Sequence, residues 1–201
     1  MARKGTVLVI EGLIGAGKST LGLSIEKKNP KAKYFPEPFD EDFLRLYLKD
    51  MKKYGLAFQL FILSKRGELY RQARQFADQG GLAIVDRSMM GDAAFAYGMF
   101  CNGIFNRDDW QIYLTLWNKE LARIEEPDMT LFLEASEDKL LSRINQRNRA
   151  SEPSKYTKKF LIQLKNNYDY VFRELDPRSI GKLIKLNWNH FDQQLIPDFE
   201  H

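Results

Sequence analysis

The sequence predicts an α/β protein in which a central parallel β-sheet of about five strands is flanked by helices. Short apolar runs recur along the chain, longer segments of helical periodicity separate them, and the chemistry-bearing residues stand just after the runs. The runs are Val7–Ile10, Lys33–Phe35, Leu82–Val85, Thr130–Leu133 and Leu183–Leu186. Between them Phe43, Leu44, Tyr47, Leu48 and Met51 share a helical spacing, and so do Trp110, Tyr113, Leu114, Trp117, Leu121 and Ile124. A third such stripe runs from Phe160 through Leu164, Tyr168 and Val171 to Leu175. Ser136 reads as the cap of a helix over Glu137 to Ile144. Strands separated by helices of this length need right-handed crossovers, hence a parallel sheet covered on both faces. Ligands then bind at the carboxyl ends of the strands.

At 201 residues the chain fits one domain over 1–201 and can bury a core. Its 44% hydrophobic and 29% charged residues are ordinary for a globular chain. Lys and Arg (31) exceed Asp and Glu (27), for a formal charge of +4 and a pI near 9.0. That balance suits an anionic ligand, but no clustered basic face points to a nucleic-acid partner. Cys101 is the lone cysteine, so no intrachain disulfide forms and a reducing compartment is expected. No apolar stretch approaches the ~20 residues of a membrane helix, so no membrane partner is expected. The first run begins near Thr6, which leaves no space ahead of it for a signal or transit segment. A cytoplasmic home is expected, or a mitochondrial one were a transit peptide removed beforehand.

The stretch "EGLIGAGKST" (residues 11–20) follows the first run directly. Gly12 through Ser19 matches glycine, four residues, then Gly-Lys-Ser, the pattern of a phosphate cradle. Gly12, Gly15 and Gly17, with Ala16 between them, let the backbone turn sharply and bring its N–H groups against phosphate oxygens. The helix that begins near Lys18 and Ser19 and runs on through Thr20 adds its positive end. Lys18 would reach the terminal phosphates, and the Ser19 hydroxyl would ligate Mg²⁺.

Three further stretches fall at the other strand ends. In "YFPEPFD" (34–40), Pro36 and Pro38 hold Glu37 out of any helix, where its carboxylate can accept a proton from an attacking hydroxyl; a surface acid in a proline turn is the plainer alternative. In "IVDRSMMGD" (84–92), Asp86 at a strand's last position suits a Mg²⁺ shell and Arg87 could clamp the substrate's reacting end, unless the two are a structural pair. In "SRINQRNRASE" (142–152), Arg143, Arg147 and Arg149 would converge on a triphosphate as a closing lid over about 143–155, or else form a solvated basic face. Within "AFQLFILSKR" (57–66), Gln59 in an aromatic setting suits the reading of a base edge, though core helices also hold stray amides.

The ordered series of P-loop, Pro-Glu-Pro, Phe-Gln, Asp-Arg-Ser and arginine-rich lid resembles the deoxynucleoside kinase family over about residues 5–192. The resemblance implies the P-loop kinase fold, ATP with Mg²⁺ as phosphoryl donor, transfer to the 5′-hydroxyl of a deoxynucleoside in nucleotide salvage, and a homodimer. It further implies that Glu37 is the general base, that Phe58 stacks on the nucleobase, and that Gln59 hydrogen-bonds the base edge. Arg87 would hold the 5′ end and the base carboxylate in place, Lys18 and the lid arginines Arg143, Arg147 and Arg149 the phosphates, and Arg143 would also lie near the adenine. Glu152 falls where the family binds the sugar 3′-hydroxyl, with Tyr47 or the neighbouring Leu48 beside it. Asp86 replaces the glutamate usual in the animal enzymes. "LNWNHFD" resembles the adenine-contacting loop, with Asn189, His190 and Phe191 as its residues. The helix carrying Trp110 and Trp117, taken as exposed aromatics, is the candidate dimer surface.

Arg66 and Asp92 match a pair that meets over the base in deoxycytidine and deoxyguanosine kinases, so deoxycytidine or a purine deoxynucleoside is expected over thymidine. Thymidylate kinases, which share the P-loop and lid, tend to carry Arg-Glu-Pro-Gly and Asp-Arg followed by an aromatic, where this chain has Pro-Glu-Pro-Phe and Asp-Arg-Ser. A non-catalytic nucleotide-binding subunit on the same fold would tend to lose residues that are present here: Lys18, Ser19, Glu37, Asp86 and Arg87.

Overall fold

Every one of the apolar runs is a strand in the computed structural model, which describes residues 5–38, 40–147, 156–175, 178 and 180–190. β1 (Thr6–Gly12), β2 (Ala32–Phe35), β3 (Leu82–Asp86), β4 (Met129–Glu134) and β5 (Lys182–Asn187) form one sheet in the order β2-β3-β1-β4-β5. All neighbouring pairs are parallel. The register sets Ile10 of β1 against Asp86 of β3, so the glycine-rich turn and the Asp-Arg pair emerge side by side.

Both faces of the central strands are covered, which is why those strands read as continuous apolar runs. Val7, Val9, Ala83 and Val85 point to one face, where Tyr70, Ala73 and Ala77 of α3 (Met51–Asp78) join them. Leu8, Ile10 and Ile84 point to the other and share the main core with Leu21 and Ile25 of α1 (Lys18–Lys28). That core continues through α4 (Met89–Cys101), α5 (Arg107–Leu121) and α7 (Lys158–Glu174).

Side-chain caps set most helix starts, each satisfying an otherwise unpaired N–H group. Asp40 accepts from Phe43 N at the start of α2 (Glu41–Lys49), Ser88 from Gly91 N, and Thr157 from Phe160 N. Asn106 and Asp109 form a reciprocal capping box on α5. Ser136 accepts from Lys139 N at the start of α6 (Glu137–Arg147), where a cap is expected. The stripe from Phe43 to Met51 is two helices, not one. Asp50 leaves helical geometry (φ −152°, ψ 89°), ends α2 and caps α3 by accepting from Lys53 N.

The tryptophans of α5 are core, not surface. Trp117 is fully buried, with Nε1 donating to Met89 O (3.0 Å), and Trp110 stacks between Phe100 and Tyr113. Trp110, Tyr113, Trp117 and Leu121 are the one apolar stripe of this helix, and α3 and α4 are the layers that cover it. The outward positions carry Ile112 and Leu116 instead.

Entry into β5 depends on a tight turn at Gly181, whose φ is +54° and whose added Cβ would sit 2.0 Å from Pro127 O. Backbone cannot yield there as a flexible side chain could. Gly181→Ala is expected to cost about 1–3 kcal/mol and to lower the melting temperature by about 2–12 °C. Thermal denaturation followed by circular dichroism checks this; an unchanged midpoint would contradict it.

Candidate active site

The turn after β1 takes the conformation its glycines permit: φ is 145° at Gly12, 79° at Gly15 and 94° at Gly17. Lys18 opens α1 and folds back across the turn, its Nζ donating to Gly12 O (3.1 Å) and Leu13 O (3.3 Å). Burial, followed by repulsion from Arg87, draws the Lys18 pKa down to about 8 against the pull of Asp86, Glu37 and Glu11. The ammonium therefore gains from any anion that enters the cradle. Ala16 is buried within the turn and Thr20 is exposed beyond it.

Ser19 and Asp86 meet as the sequence places them. Ser19 Oγ donates to Asp86 Oδ2 (2.7 Å), and the Tyr34 hydroxyl donates to the same oxygen. Asp86 Oδ1 is buried with no hydrogen-bond partner among the described residues. A buried carboxylate oxygen left unpaired is costly, and a hard divalent cation between it and the serine hydroxyl would satisfy it. No cluster of three or more His, Cys, Asp or Glu side chains stands ready as a metal site among the described residues. A cation there would need phosphate oxygens or water to complete its shell.

Glu37 leaves the end of β2 and meets two guanidinium groups. Its Oε1 accepts from Arg87 Nε (2.7 Å) and from Arg66 Nη2 (3.3 Å). Its side chain remains 42% exposed, so the carboxylate is held yet reachable from solvent. Enclosure would raise its pKa; Arg87, then Arg66 and Lys18, outweigh that and hold it at about 2. Glu37 is thus an anion at any physiological pH.

Arg87 has a positive φ (77°), the only non-glycine to do so among the described residues. Such a backbone costs on the order of 1–3 kcal/mol and needs surroundings that enforce it. Here Arg87 N donates to Ile10 O (2.9 Å), and the guanidinium lies over the Phe95 ring. Arg66 comes from α3 and is fully buried. Its Nε and Nη2 form a fork on the Asp92 carboxylate (2.9 and 3.0 Å), and its Nη1 donates to Asp86 O (2.6 Å). Burial lifts the Asp92 pKa against the pull of Arg66.

Two turns earlier on α3, Gln59 is buried. Phe58 beside it is half-buried and stacked on Tyr47 of α2 (4.7 Å, 5° between planes), with Phe43 edge-on. Leu48, the alternative to Tyr47, is exposed. Arg143 does not hang over the cradle as a free cation: Nη1 donates to Ala16 O (3.2 Å), and Nη2 to Trp188 O (2.7 Å) and Asn189 O (3.3 Å). It ties the glycine turn to the loop after β5. Arg147 ends α6 and is exposed. Arg149, Glu152 and Phe191 lie outside the described residues.

Sequence reasoning missed Glu11, Tyr34, Ser88 and Tyr168, which hold the catalytic-looking groups from behind. The signal for Glu11 was in view: a carboxylate at the end of the run "TVLVIEG", on a strand buried on both faces.

The model for the family described as deoxynucleoside kinase matches residues 8–195. A deoxyadenosine kinase of Dictyostelium discoideum is 32% identical over 188 residues, covering 94% of this chain and 74% of that protein. A deoxyguanosine kinase of the same organism is 28% identical, covering 92% of this chain and 65% of that protein. Among solved structures, the deoxyadenosine kinase of M. mycoides with bound dATP superposes with a TM-score of 0.78 at 23% identity, covering 94% of both chains.

The depressed pKa of Glu37 favours the folded state above its ordinary value of 4.5, and that contribution fades as pH falls from there towards 2. Glu37→Gln is therefore expected to melt below the wild type at neutral pH, with the gap narrowing on acidification. Scanning calorimetry of both proteins between about pH 7 and 3 tests the sign, and a gap that stays constant or widens counts against it.

Proposed function

The chain belongs to the deoxynucleoside kinase family, and we propose that it moves the γ-phosphoryl group of ATP onto the 5′-hydroxyl of a purine deoxynucleoside or deoxycytidine. The observation that carries this reading is the Glu37 carboxylate, ionised, half open to solvent and held by two arginines within the charged neighbourhood of Lys18. The relatives named as deoxyadenosine and deoxyguanosine kinases support a purine. The buried Arg66–Asp92 fork favours a purine or cytosine over thymine, whose methyl group cannot use its donors and acceptors.

In this reading the 5′-oxygen attacks the γ-phosphorus in line, its bond to phosphorus forms as the bond to the ADP oxygen breaks, and the hydroxyl proton passes to Glu37. A carboxylate with so low a pKa is a weak base, so its first service is to orient the hydroxyl; it takes the proton late, as the oxygen becomes acidic. Lys18 and the backbone N–H groups of the glycine turn hold the phosphates. Ser19 and Asp86 would hold Mg²⁺, which neutralises phosphate charge when bound. Phe58 and Gln59 would serve the base, Tyr47 and Glu152 the sugar. Arg147 and Arg149 belong to the lid over about 143–155 of a single domain spanning 1–201. Arg143 lies against the adenine side. A homodimer is part of the same proposal, with exposed Ile112, Leu116 and Ile162 as apolar candidates for the contact.

Glu37→Gln is expected to retain ATP binding while turnover drops by roughly 10²–10⁴-fold. Steady-state rates with deoxyadenosine, deoxyguanosine, deoxycytidine and thymidine, each beside its monophosphate, test acceptor and preference together. A thymidine advantage of tenfold, a monophosphate as the better acceptor, or near-normal turnover of Glu37→Gln would each overturn the corresponding part.

Lys18, free at a pKa of about 8, should regain its full charge against a triphosphate. Binding then takes up a proton, and affinity falls as pH rises past 8. Calorimetric titration with ATP at pH 8, in buffers of differing ionisation enthalpy, should reveal uptake approaching about half a proton per site. Zero or negative uptake would refute the assignment.

A further inference from the structure

We propose that Glu11 and Tyr168 form a buried brace that positions Arg87, and through Arg87 the Glu37 carboxylate, for the transfer described above. The proposal rests on that reading of the reaction and adds two positioning residues that touch neither nucleotide nor nucleoside.

Glu11 is wholly buried at the end of β1. A lone carboxylate there would carry a heavy desolvation cost, yet every oxygen is answered. Oε1 accepts from Gly12 N (2.8 Å) and from the Tyr168 hydroxyl (2.8 Å), with Arg87 Nη1 at 3.4 Å. Oε2 accepts from Ser88 N (2.8 Å) and the Ser88 hydroxyl. Arg87 Nη1 also donates to the Tyr168 oxygen (2.6 Å). The Tyr168 ring is itself fixed, edge-on to Phe132 and tilted against Phe172. Gly91 closes the cluster: a Cβ there would meet Glu11 Oε2 at 2.5 Å and the Tyr168 hydroxyl at 2.9 Å, so no side chain fits between them.

Arg87 is thus gripped at opposite ends of one guanidinium. Nε holds Glu37, and Nη1 is anchored to β1 and α7 through Glu11 and Tyr168. Glu37 cannot position itself, because it stands outside regular secondary structure between two prolines, and its second contact, to Arg66, is the longer one at 3.3 Å. Remove the anchor, and the guanidinium is free to turn about its own bonds and carry the carboxylate with it. A displacement of about 1 Å at a reacting group can cost up to 10²-fold in rate.

Tyr168→Phe deletes one oxygen and leaves the ring packing intact. With ATP and deoxyadenosine, kcat is expected to fall by about tenfold or more, while KM for ATP stays within about twofold and the melting midpoint drops by only about 2–6 °C. The decisive comparison is the double-mutant cycle with Glu37→Gln. If Tyr168 acts through Glu37, Tyr168→Phe changes kcat by less than about twofold once Glu37 is gone. A purely structural role would cost the same factor in both backgrounds, and that result, or an unchanged kcat of Tyr168→Phe alone, overturns the proposal. Glu11→Gln is expected to repeat the pattern more severely, and a folded Glu11→Gln with wild-type kcat overturns it too. A wild type inert toward all four deoxynucleosides overturns the parent reading and the brace together, whereas an active wild type indifferent to Tyr168→Phe sinks the brace alone.

Discussion

The backbone of Arg87 is the constraint from which the site is built. β1 and β3 run side by side with Ile10 opposite Asp86, so the chain must turn away from the sheet one residue later. It does so through a positive φ that a branched or bulky residue would resist. This conformation aims the Arg87 side chain back across the end of β1 rather than out along the strand. From there it reaches Glu37 beyond β2, Glu11 on β1 and Tyr168 on α7. Ser88 follows at once, caps α4 and holds the far oxygen of Glu11. A single strained residue thus joins strands, helices and loop at one point, and the hydrogen bonds around it supply the enforcement that strain requires.

The charge count around that point has a consequence for binding. Among the described residues, Glu11, Glu37, Asp86 and Asp92 face Lys18, Arg66 and Arg87. Each carboxylate but one is paired inside the protein; Asp86 alone keeps a buried oxygen with no partner among the described residues. A site with a slight excess of negative charge is a poor receptor for a bare triphosphate. The free Asp86 oxygen and the shared Ser19 hydroxyl are therefore where the electrostatic deficit would be met, by a cation that travels with the phosphates. The lowered pKa of Lys18 has a different origin, burial, which outweighs the pull of the nearby carboxylates. Its ammonium, buried and crowded by Arg87, is least stable when the cradle lacks an anion.

How much of this was legible in the sequence depended on the range of the interaction. The glycine turn is local, eight residues whose types dictate their own backbone, so its conformation was legible. The strands were legible because a parallel sheet covered on both faces leaves an uninterrupted apolar run. Glu37 stood out because two prolines denied it any helical role. By contrast, Tyr168 and Glu11 lie 157 residues apart, and nothing in either neighbourhood announces the other. Tyr168 falls on the apolar stripe of α7, where periodicity marks it as core but not as a hydrogen-bond donor. The tryptophans of α5 failed for a related reason: a stripe tells which residues share a face, and only the neighbouring helices decide which face is covered. At Asp50 the apolar spacing ran straight across a boundary that a side-chain cap imposes.

Arg66 makes recognition and chemistry in the proposed reaction hard to separate. One terminal nitrogen, Nη2, serves both the Asp92 carboxylate (3.0 Å) and Glu37 (3.3 Å), while Nη1 is spent on Asp86 O. A base edge that engages Asp92 competes for the fork that Arg66 places there, and any shift of Arg66 alters the second hydrogen bond on Glu37. The two arginines on Glu37 therefore differ in kind. Arg87 is locked by its backbone and its buried partners, whereas Arg66 is shared with the pair that would meet the nucleobase. In the proposed reaction, geometry of this sort would let the identity of the base reach the carboxylate through a single side chain.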